Sequence, residues 1–262
     1  MRFLKVTLLL VLSLATVREA NAQQRVVDCS QDHALCALDQ TKIIDEEWNN
    51  TVLRHCRISN KRTGIVIRNV QNFTLERCMI ENISKGSGIY LDPSHPSQNV
   101  TLTGNTVRNI AKNGIAAPEN SVSNLVVSNN ILVDVAIKGA RGLHHGIYIQ
   151  APGSRVVDNQ ITRVHDGNGI AIRSSAEIAG NVISETGKSG IGYFNDHPAP
   201  PQSILLISRN KITEYGRRAA GRAGIEVLTH SPRYPTIDRI RIEDNLVAGA
   251  CHLYTSPSPR DS

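Results

Sequence analysis

The sequence predicts an all-β fold, a solenoid of stacked parallel coils, from two interlocking repeats. The dipeptide Gly-Ile recurs seven times, at Gly64-Ile65, Gly88-Ile89, Gly114-Ile115, Gly146-Ile147, Gly169-Ile170, Gly190-Ile191 and Gly224-Ile225, each opening a short strand of alternating apolar residues. About ten residues before most of these stands an asparagine in the setting Asn-x-[Ile/Leu/Val], at Asn105, Asn130, Asn159, Asn181, Asn210 and Asn245. One repeat therefore carries two strands and two turns. The shortest asparagine interval, Asn159 to Asn181, sets a coil of 22 residues, the scale of stacked β-coils rather than helical hairpins. Longer intervals are the same coil with loops inserted.

In runs such as Gly88-Ile89-Tyr90-Leu91 and Gly146-Ile147-Tyr148-Ile149 the alternation buries one strand face. Strands this short cannot cover that face alone, so each pairs in parallel with its equivalent in the next coil, about 4.8 Å away. Parallel crossovers are right-handed. An asparagine column in register gives each buried amide a neighbouring amide as hydrogen-bond partner.

The repeats resemble those of the right-handed parallel β-helix proteins of the pectate-lyase-like superfamily, over residues 51 to 250. The resemblance implies a right-handed parallel β-helix. It does not select an activity, because the superfamily holds lyases, hydrolases, epimerases, phage tailspikes and non-catalytic proteins on one scaffold.

Both ends depart from the repeat. Residues 1–22 run from Arg2 and Lys5 through an apolar stretch, Val6 to Leu14, to Ala20-Asn21-Ala22, the layout of a secretory signal peptide. Cleavage near Ala22 would give an exported protein, periplasmic or secreted. The apolar stretch is too short for the roughly 20 residues of a membrane span, so no membrane anchor is expected. Residues 23–50 read as an N-terminal cap, with Ala34, Leu35, Leu38, Ile43 and Trp48 as the apolar face of a short helix behind Ser30 and Asp32. Residues 251–262 abandon the pattern, and the string from Leu253 to Ser262 resembles translated sequencing adapter. On that expectation this tail is non-native and the solenoid is truncated at its eighth coil.

The chain carries 29 basic and 23 acidic residues, a net charge of +6. Removing Arg2, Lys5, Arg18 and Glu19 with the leader, and Arg260 and Asp261 with the tail, leaves +4. That mild excess suits polyanionic glycans but argues against nucleic-acid binding, and no basic and aromatic interleaving accompanies it.

Without Cys251, the cysteines are Cys29, Cys36, Cys56 and Cys78, an even set suited to an oxidising compartment. Cys56-Arg57-Ile58 and Cys78-Met79-Ile80 occupy the asparagine position of their coils, 22 residues apart, and so lie one above the other. That spacing accepts a disulfide, leaving Cys29 with Cys36; two buried free thiols filling the column are the alternative. The sequons at Asn49, Asn72, Asn82 and Asn99 read as by-products of Asn-rich and Thr-rich turns.

If the apolar residues of each Gly-Ile strand face inward, the middle residue and the one after the strand face out. This pairs Tyr90 with Asp92, Ala116 with Pro118, Tyr148 with Gln150, Ala171 with Arg173, Gly192 with Phe194 and Glu226 with Leu228. Uneven loops border that face, including those with His95, with Arg141 and His144-His145, with Asp196-His197, with Arg217, Arg218 and Arg222, and with His230 and Arg233. On a uronic-acid polysaccharide, elimination or epimerisation needs a cation for the carboxylate, a base for the proton beside it and an acid at the leaving oxygen. The candidates are His145 as base, Arg173 as neutralising cation and Tyr148 as acid or base. Tyr90, Asp92, Gln150, Arg217 and Arg218 are candidate substrate-binding residues. The resemblance permits these roles, together with a Ca²⁺ ion, although the pectate-lyase aspartate cluster is not recognisable. No metal-binding motif spacing is present and no cofactor is expected.

Departures from family motifs narrow the reaction. Asp92-Pro93-Ser94-His95 and Asp196-His197-Pro198 miss the Asp-Pro-His-Asp string of mannuronan epimerases, and the polygalacturonase carboxylate motifs are missing, which argues against hydrolysis by paired carboxylates. The expectation is an exported β-helix that binds, and cleaves by β-elimination or epimerises, an acidic polysaccharide. The alternative is a non-catalytic β-helix serving as a carbohydrate- or surface-binding module or periplasmic accessory protein.

Overall fold

The computed structural model describes residues 24–31, 42–195, 203–219, 221–229, 233–234 and 237–250. The leader, residues 1–22, the tail, residues 251–262, and Ala34, Leu35, Cys36 and Leu38 of the expected cap lie outside the described residues.

Three parallel sheets wrap one axial core. The first has nine strands, from Arg25–Asp28 to Arg239–Glu243; the second holds the Gly-Ile strands, eight from Lys42–Ile44 to Ile225–Leu228; the third has eight, from Arg57–Ser59 to Leu246–Ala250. Each coil visits the first, third and second sheets in turn, and equivalent strands of successive coils pair in parallel, as Thr106 with Met79 and Tyr148 with Ala171 show. Inward Ile, Leu and Val side chains of all three sheets form one continuous core.

A coil thus carries three strands, not two. The first-sheet strand Ser97–Thr103 and the third-sheet strand Thr106–Ile110 are separated by only two residues, so in sequence they read as a single run through the asparagine. The bend is made by the residue before the column position. His55, Arg77, Gly104, Asn129, Asp158, Gly180, Arg209 and Asp244 all have φ between 50° and 68°, the left-handed conformation that reverses chain direction in one step.

That bend turns the next side chain inward. Each asparagine Nδ2 donates to Oδ1 of the asparagine one coil on, at 3.0 Å from Asn105 to Asn130 and 2.9 Å from Asn130 to Asn159, and the series continues to Asn245. The same Oδ1 also accepts the backbone N–H of the preceding asparagine. The second Nδ2 hydrogen goes to a first-sheet carbonyl, such as Leu102 for Asn130 and Val127 for Asn159. The buried amides are therefore satisfied throughout. Cys56 and Cys78 occupy the head of this column and form a disulfide with their Cα atoms 4.6 Å apart, and the Cys78 N–H donates to Asn105 Oδ1 at 2.9 Å. Cys29 is also disulfide-bonded.

The glycines of Gly-Ile have a different cause. A Cβ on Gly114 would stand 2.7 Å from the Gly146 carbonyl oxygen and 2.6 Å from the Leu132 side chain, and one on Gly169 would stand 2.7 Å from the Gly190 oxygen. Glycine is required by close approach between coils rather than by backbone dihedral.

One expectation is corrected. The described part of the cap is not helical: Arg25–Asp28 and Lys42–Ile44 join the first and second sheets, and Glu46–Trp48 is a single 3-10 turn. Trp48 meets the Phe73 ring edge-on at 6.5 Å, with the Arg25 guanidinium 5.4 Å from its own ring, so it packs against the core without a helix. The sequon asparagines Asn72, Asn82 and Asn99 arise from Asn-rich turns, as expected, and those turns are stacked. Asn50, Asn72, Asn99 and Asn124 form an outer ladder with φ of 53° to 57° and amide bonds of 2.9, 2.7 and 2.8 Å. Asn60, Asn82 and Asn109 form a second.

Replacing Asn159 by Ala removes the acceptor for Asn130 Nδ2 and Asn130 N–H together, leaving both buried. Orphaned buried polar groups cost about 1–3 kcal/mol each. The expected outcome is a clear fall in the urea midpoint of Asn159→Ala, whereas Asn124→Gly in the exposed ladder, which keeps the left-handed backbone, lowers it far less.

Candidate functional site

The outward column predicted on the Gly-Ile sheet exists in register: Val66, Tyr90, Ala116, Tyr148, Ala171, Gly192 and Glu226 stand opposite one another in successive strands. Its middle is covered, since Ala116 and Ala171 are buried while Tyr90 and Tyr148 are half-exposed.

His145, Tyr148 and Arg173 come together. The His145 and Tyr148 rings stack at 5.7 Å with an interplanar angle of 11°. The Arg173 guanidinium lies 5.6 Å from the Tyr148 ring centre and 4.2 Å from that of Phe194. Arg173 is thus held between two aromatic faces by cation–π attraction, with one N–H donated to the Ile172 carbonyl at 3.3 Å.

The geometry changes the role expected of His145. Its ring is 3% exposed, and Nδ1 accepts the Asn168 backbone N–H at 3.1 Å, so in the neutral ring the proton sits on Nε2. Burial, followed by the charges of Arg173 and Lys188, pushes its pKa down to about 3. A neutral ring with its lone pair engaged is a support for Tyr148, not a base. His144 has the opposite tautomer: its Nδ1–H donates to the Lys138 carbonyl at 2.8 Å, which leaves the Nε2 lone pair available.

The loop carrying both histidines is fastened by a residue that the sequence analysis overlooked. Asp166 accepts the backbone N–H groups of Ala140 and Gly142 at 2.9 Å and of His144 at 3.2 Å. Burial works to raise its pKa, but these N–H groups hold the carboxyl below the usual range. Lys188 reaches across Gly142 and donates to the Arg141 and Gly142 carbonyls at 3.3 and 3.4 Å, and burial lowers its pKa. Glu226, the last column member, accepts from Ser189 Oγ at 2.8 Å and from Arg222 at 2.8 and 3.0 Å. Among the described residues Asn168 Nδ2 is buried without a hydrogen-bond partner, and it lies against Gly192. Glu226 stood in the expected column, whereas no repeat marks Asp166 in sequence.

The other candidates are not part of the stack. Tyr90 stands two coils from Tyr148, separated by Ala116. Asp92 accepts the Ser94 N–H at 2.9 Å within its own turn. Gln150 is buried and accepts the Glu119 N–H at 3.0 Å. Arg217 pairs with Glu185, and Arg218 approaches Asp166 at 3.9 Å. His197 and His230 lie outside the described residues. Among the described residues no three His, Cys, Asp or Glu side chains converge as a metal-binding group, and no helix is long and apolar enough to cross a membrane.

A family profile described as "Right handed beta helix region" matches residues 21–149. The fold is a right-handed parallel β-helix. No match was found among curated proteins. Among solved structures, the periplasmic alginate epimerase AlgG superposes with a TM-score of 0.53 at 14% identity, over 85% of this chain and 55% of its own. A point-mutant form of that enzyme gives 0.55 at the same identity and coverage. An alginate lyase from Paenibacillus sp. str. FPU-7 gives 0.47 at 10% identity, over 69% of this chain and 74% of its own. The chain spans about half the length of the epimerase, and the likeness is one of fold.

A histidine whose folded pKa is below its unfolded value binds fewer protons when folded, so stability drains as pH falls from 6.5 towards about 3, by at most about 1.4 kcal/mol per pH unit. The Asp166 carboxyl acts lower: its contribution is full above its ordinary pKa of 3.8 and is lost as pH falls through its depressed folded value. His145→Asn keeps an acceptor for Asn168 and removes the ionisable ring. Its urea midpoint is expected to fall less than that of the unaltered chain as pH is lowered from 6.5, the difference between the two shrinking towards neutrality.

Proposed function

We propose that this protein binds an acidic polysaccharide over the Tyr148 face of the Gly-Ile sheet and breaks it by β-elimination. The observation that carries this reading is the Tyr148 hydroxyl-bearing ring set between a buried neutral imidazole and a guanidinium, 5.7 and 5.6 Å from ring centre to ring centre and to Arg173 respectively. The fold similarity to an enzyme whose name states action on alginate supports the substrate class.

The chemistry follows from charge. Removing the proton on the carbon next to a uronate carboxylate builds negative charge on that carboxylate, and a fixed cation lowers the barrier. Arg173, half-buried between Tyr148 and Phe194, supplies the cation. Tyr148, starting as its phenolate, takes the proton; the C–H electron pair becomes the new carbon–carbon double bond, the bond to the glycosidic oxygen breaks, and that oxygen is protonated from the Tyr148 phenol, which restores the phenolate. One residue performs both transfers when proton and leaving group share a face. His145 positions Tyr148, and His144, with its Nε2 lone pair, is the histidine suited to accept a proton. Returning the proton to the opposite face of the same carbon would give epimerisation on the same machinery.

The test is ultraviolet absorbance of the unsaturated product on a panel of uronate polymers, with proton NMR to detect epimerised sugars. Tyr148→Phe is expected to reduce turnover by at least about 100-fold, the usual scale for a lost acid–base group, with binding largely kept. Arg173→Gln should impair both turnover and binding, while His144→Gln separates a catalytic histidine from a loop histidine. Equal rates in Tyr148→Phe and the unaltered chain would remove the site; binding without any product would leave a carbohydrate-binding module.

A further inference from the structure

A second cationic site lies beside the Tyr148 stack, in the turns that lead into the Gly-Ile strands. A cavity of about 480 Å³ is lined by Arg141, Gly142, Asp166, Lys188 and Arg218, with Gly139 and Ala219 completing its wall. Its cations come from three separate loops, at residues 139–142, at Lys188 and at 216–219. They face a single carboxylate.

That carboxylate does not neutralise them. The two oxygens of Asp166 already accept three backbone N–H groups, and the Arg218 guanidinium stands 3.9 Å away, beyond hydrogen-bond length. Lys188 is held by two carbonyl oxygens at 3.3 and 3.4 Å, which orient an ammonium without cancelling its charge. Among the described residues the Arg141 side chain makes no hydrogen bond or ion pair. Three positive charges therefore line one cavity against one negative charge whose hydrogen-bonding capacity is in use. A partly buried ammonium costs desolvation that nearby anions offset; Asp166 and Glu226 act on Lys188 in that sense while Arg222 and Arg173 oppose them, and a ligand carboxylate would add to the anionic side. His145 connects this cavity to the stack, since both Lys188 and Arg173 act on its ring. Tyr148 is three residues further along the strand, roughly 10 Å at 3.3 Å per residue, within reach of a neighbouring sugar on the same polymer.

We infer that the Arg141–Lys188–Arg218 cavity is a second anion subsite, taking the carboxylate of a uronate residue flanking the one over Tyr148. This rests on the acidic-polysaccharide reading and adds a length requirement to it: two carboxylates on one chain must be engaged at once.

The test is calorimetric titration with uronate oligosaccharides of graded length, their carboxyl-reduced counterparts, and inorganic phosphate. Lys188→Gln and Arg218→Gln are each expected to weaken the longer oligouronates about tenfold, the scale of one charge-assisted hydrogen bond, and to leave the shortest unchanged. Lys211→Gln, an equal charge change on the exposed third sheet, should have no effect. Arg218 is solvent-exposed, so its variant folds even if Lys188→Gln does not. Binding that both variants leave unchanged would overturn the subsite while keeping the acidic-polysaccharide reading. Failure of the unaltered chain to bind any uronate would overturn that reading and the subsite with it. Loss in the variants for phosphate, with no dependence on oligosaccharide length, would overturn the flanking-sugar assignment in favour of a free-anion site.

Discussion

The asparagine column is the constraint on which the rest of the molecule depends. From Asn130 onward each Oδ1 accepts twice, and from Asn105 to Asn210 each Nδ2 donates to the next amide and to a first-sheet carbonyl. Such a network tolerates no register slip, because moving one coil by a residue would orphan four groups in a dry interior. The axial core then follows, since coils locked at the ladder stack their inward Ile, Leu and Val side chains in register. The Cys56–Cys78 disulfide begins the same column with a covalent rung.

The site is built at the opposite turn of the coil, where the glycines bring one coil's backbone against the next. Tight packing at Gly146, Gly169 and Gly190 fixes the start of each strand and hence where Tyr148, Arg173 and Gly192 stand. The loops arriving at those glycines are free to differ in length. Asp166 fastens the longest described one through backbone N–H groups, so the placement of His144 and His145 depends on a carboxylate in the corresponding loop of the next coil as well as on the sheet. A rigid scaffold and a pinned loop together supply the precision that acid–base chemistry requires.

Much of this was legible in the sequence, for a physical reason. Gly-Ile and Asn-x-[Ile/Leu/Val] report contacts that every coil must repeat, so they reveal register, the Cys56–Cys78 pairing and the convergence of His145, Tyr148 and Arg173. The third-sheet strand was hidden because a two-residue bend leaves no gap in the apolar pattern. Loop contacts recur only in part, as where Asn113 and Asn168, each just before a Gly-Ile step, accept the N–H of the residue before the next one. The burial of His145, the engagement of its Nδ1 by Asn168, and the roles of Asp166 and Lys188 depend on how unequal loops fold over one another, and alternation is silent about that. Asp92 and Gln150 show the converse limit: the Asp92 carboxylate is claimed by its own turn, and Gln150 is buried with its oxygen accepting the Glu119 N–H of the preceding coil.

The bend before the asparagine column has one more consequence. Across the eight described coils the gap between a first-sheet strand and the following third-sheet strand is two residues every time, from Arg54 and Arg57 to Glu243 and Leu246. A single left-handed residue and a single inward amide leave no room for an insertion. Length variation is confined to the other two corners of the triangle, so one long edge of the rod stays straight and featureless while novelty accumulates across from it. A designer wishing to graft a new loop onto this scaffold, or natural drift acting over time, has only those two corners to use.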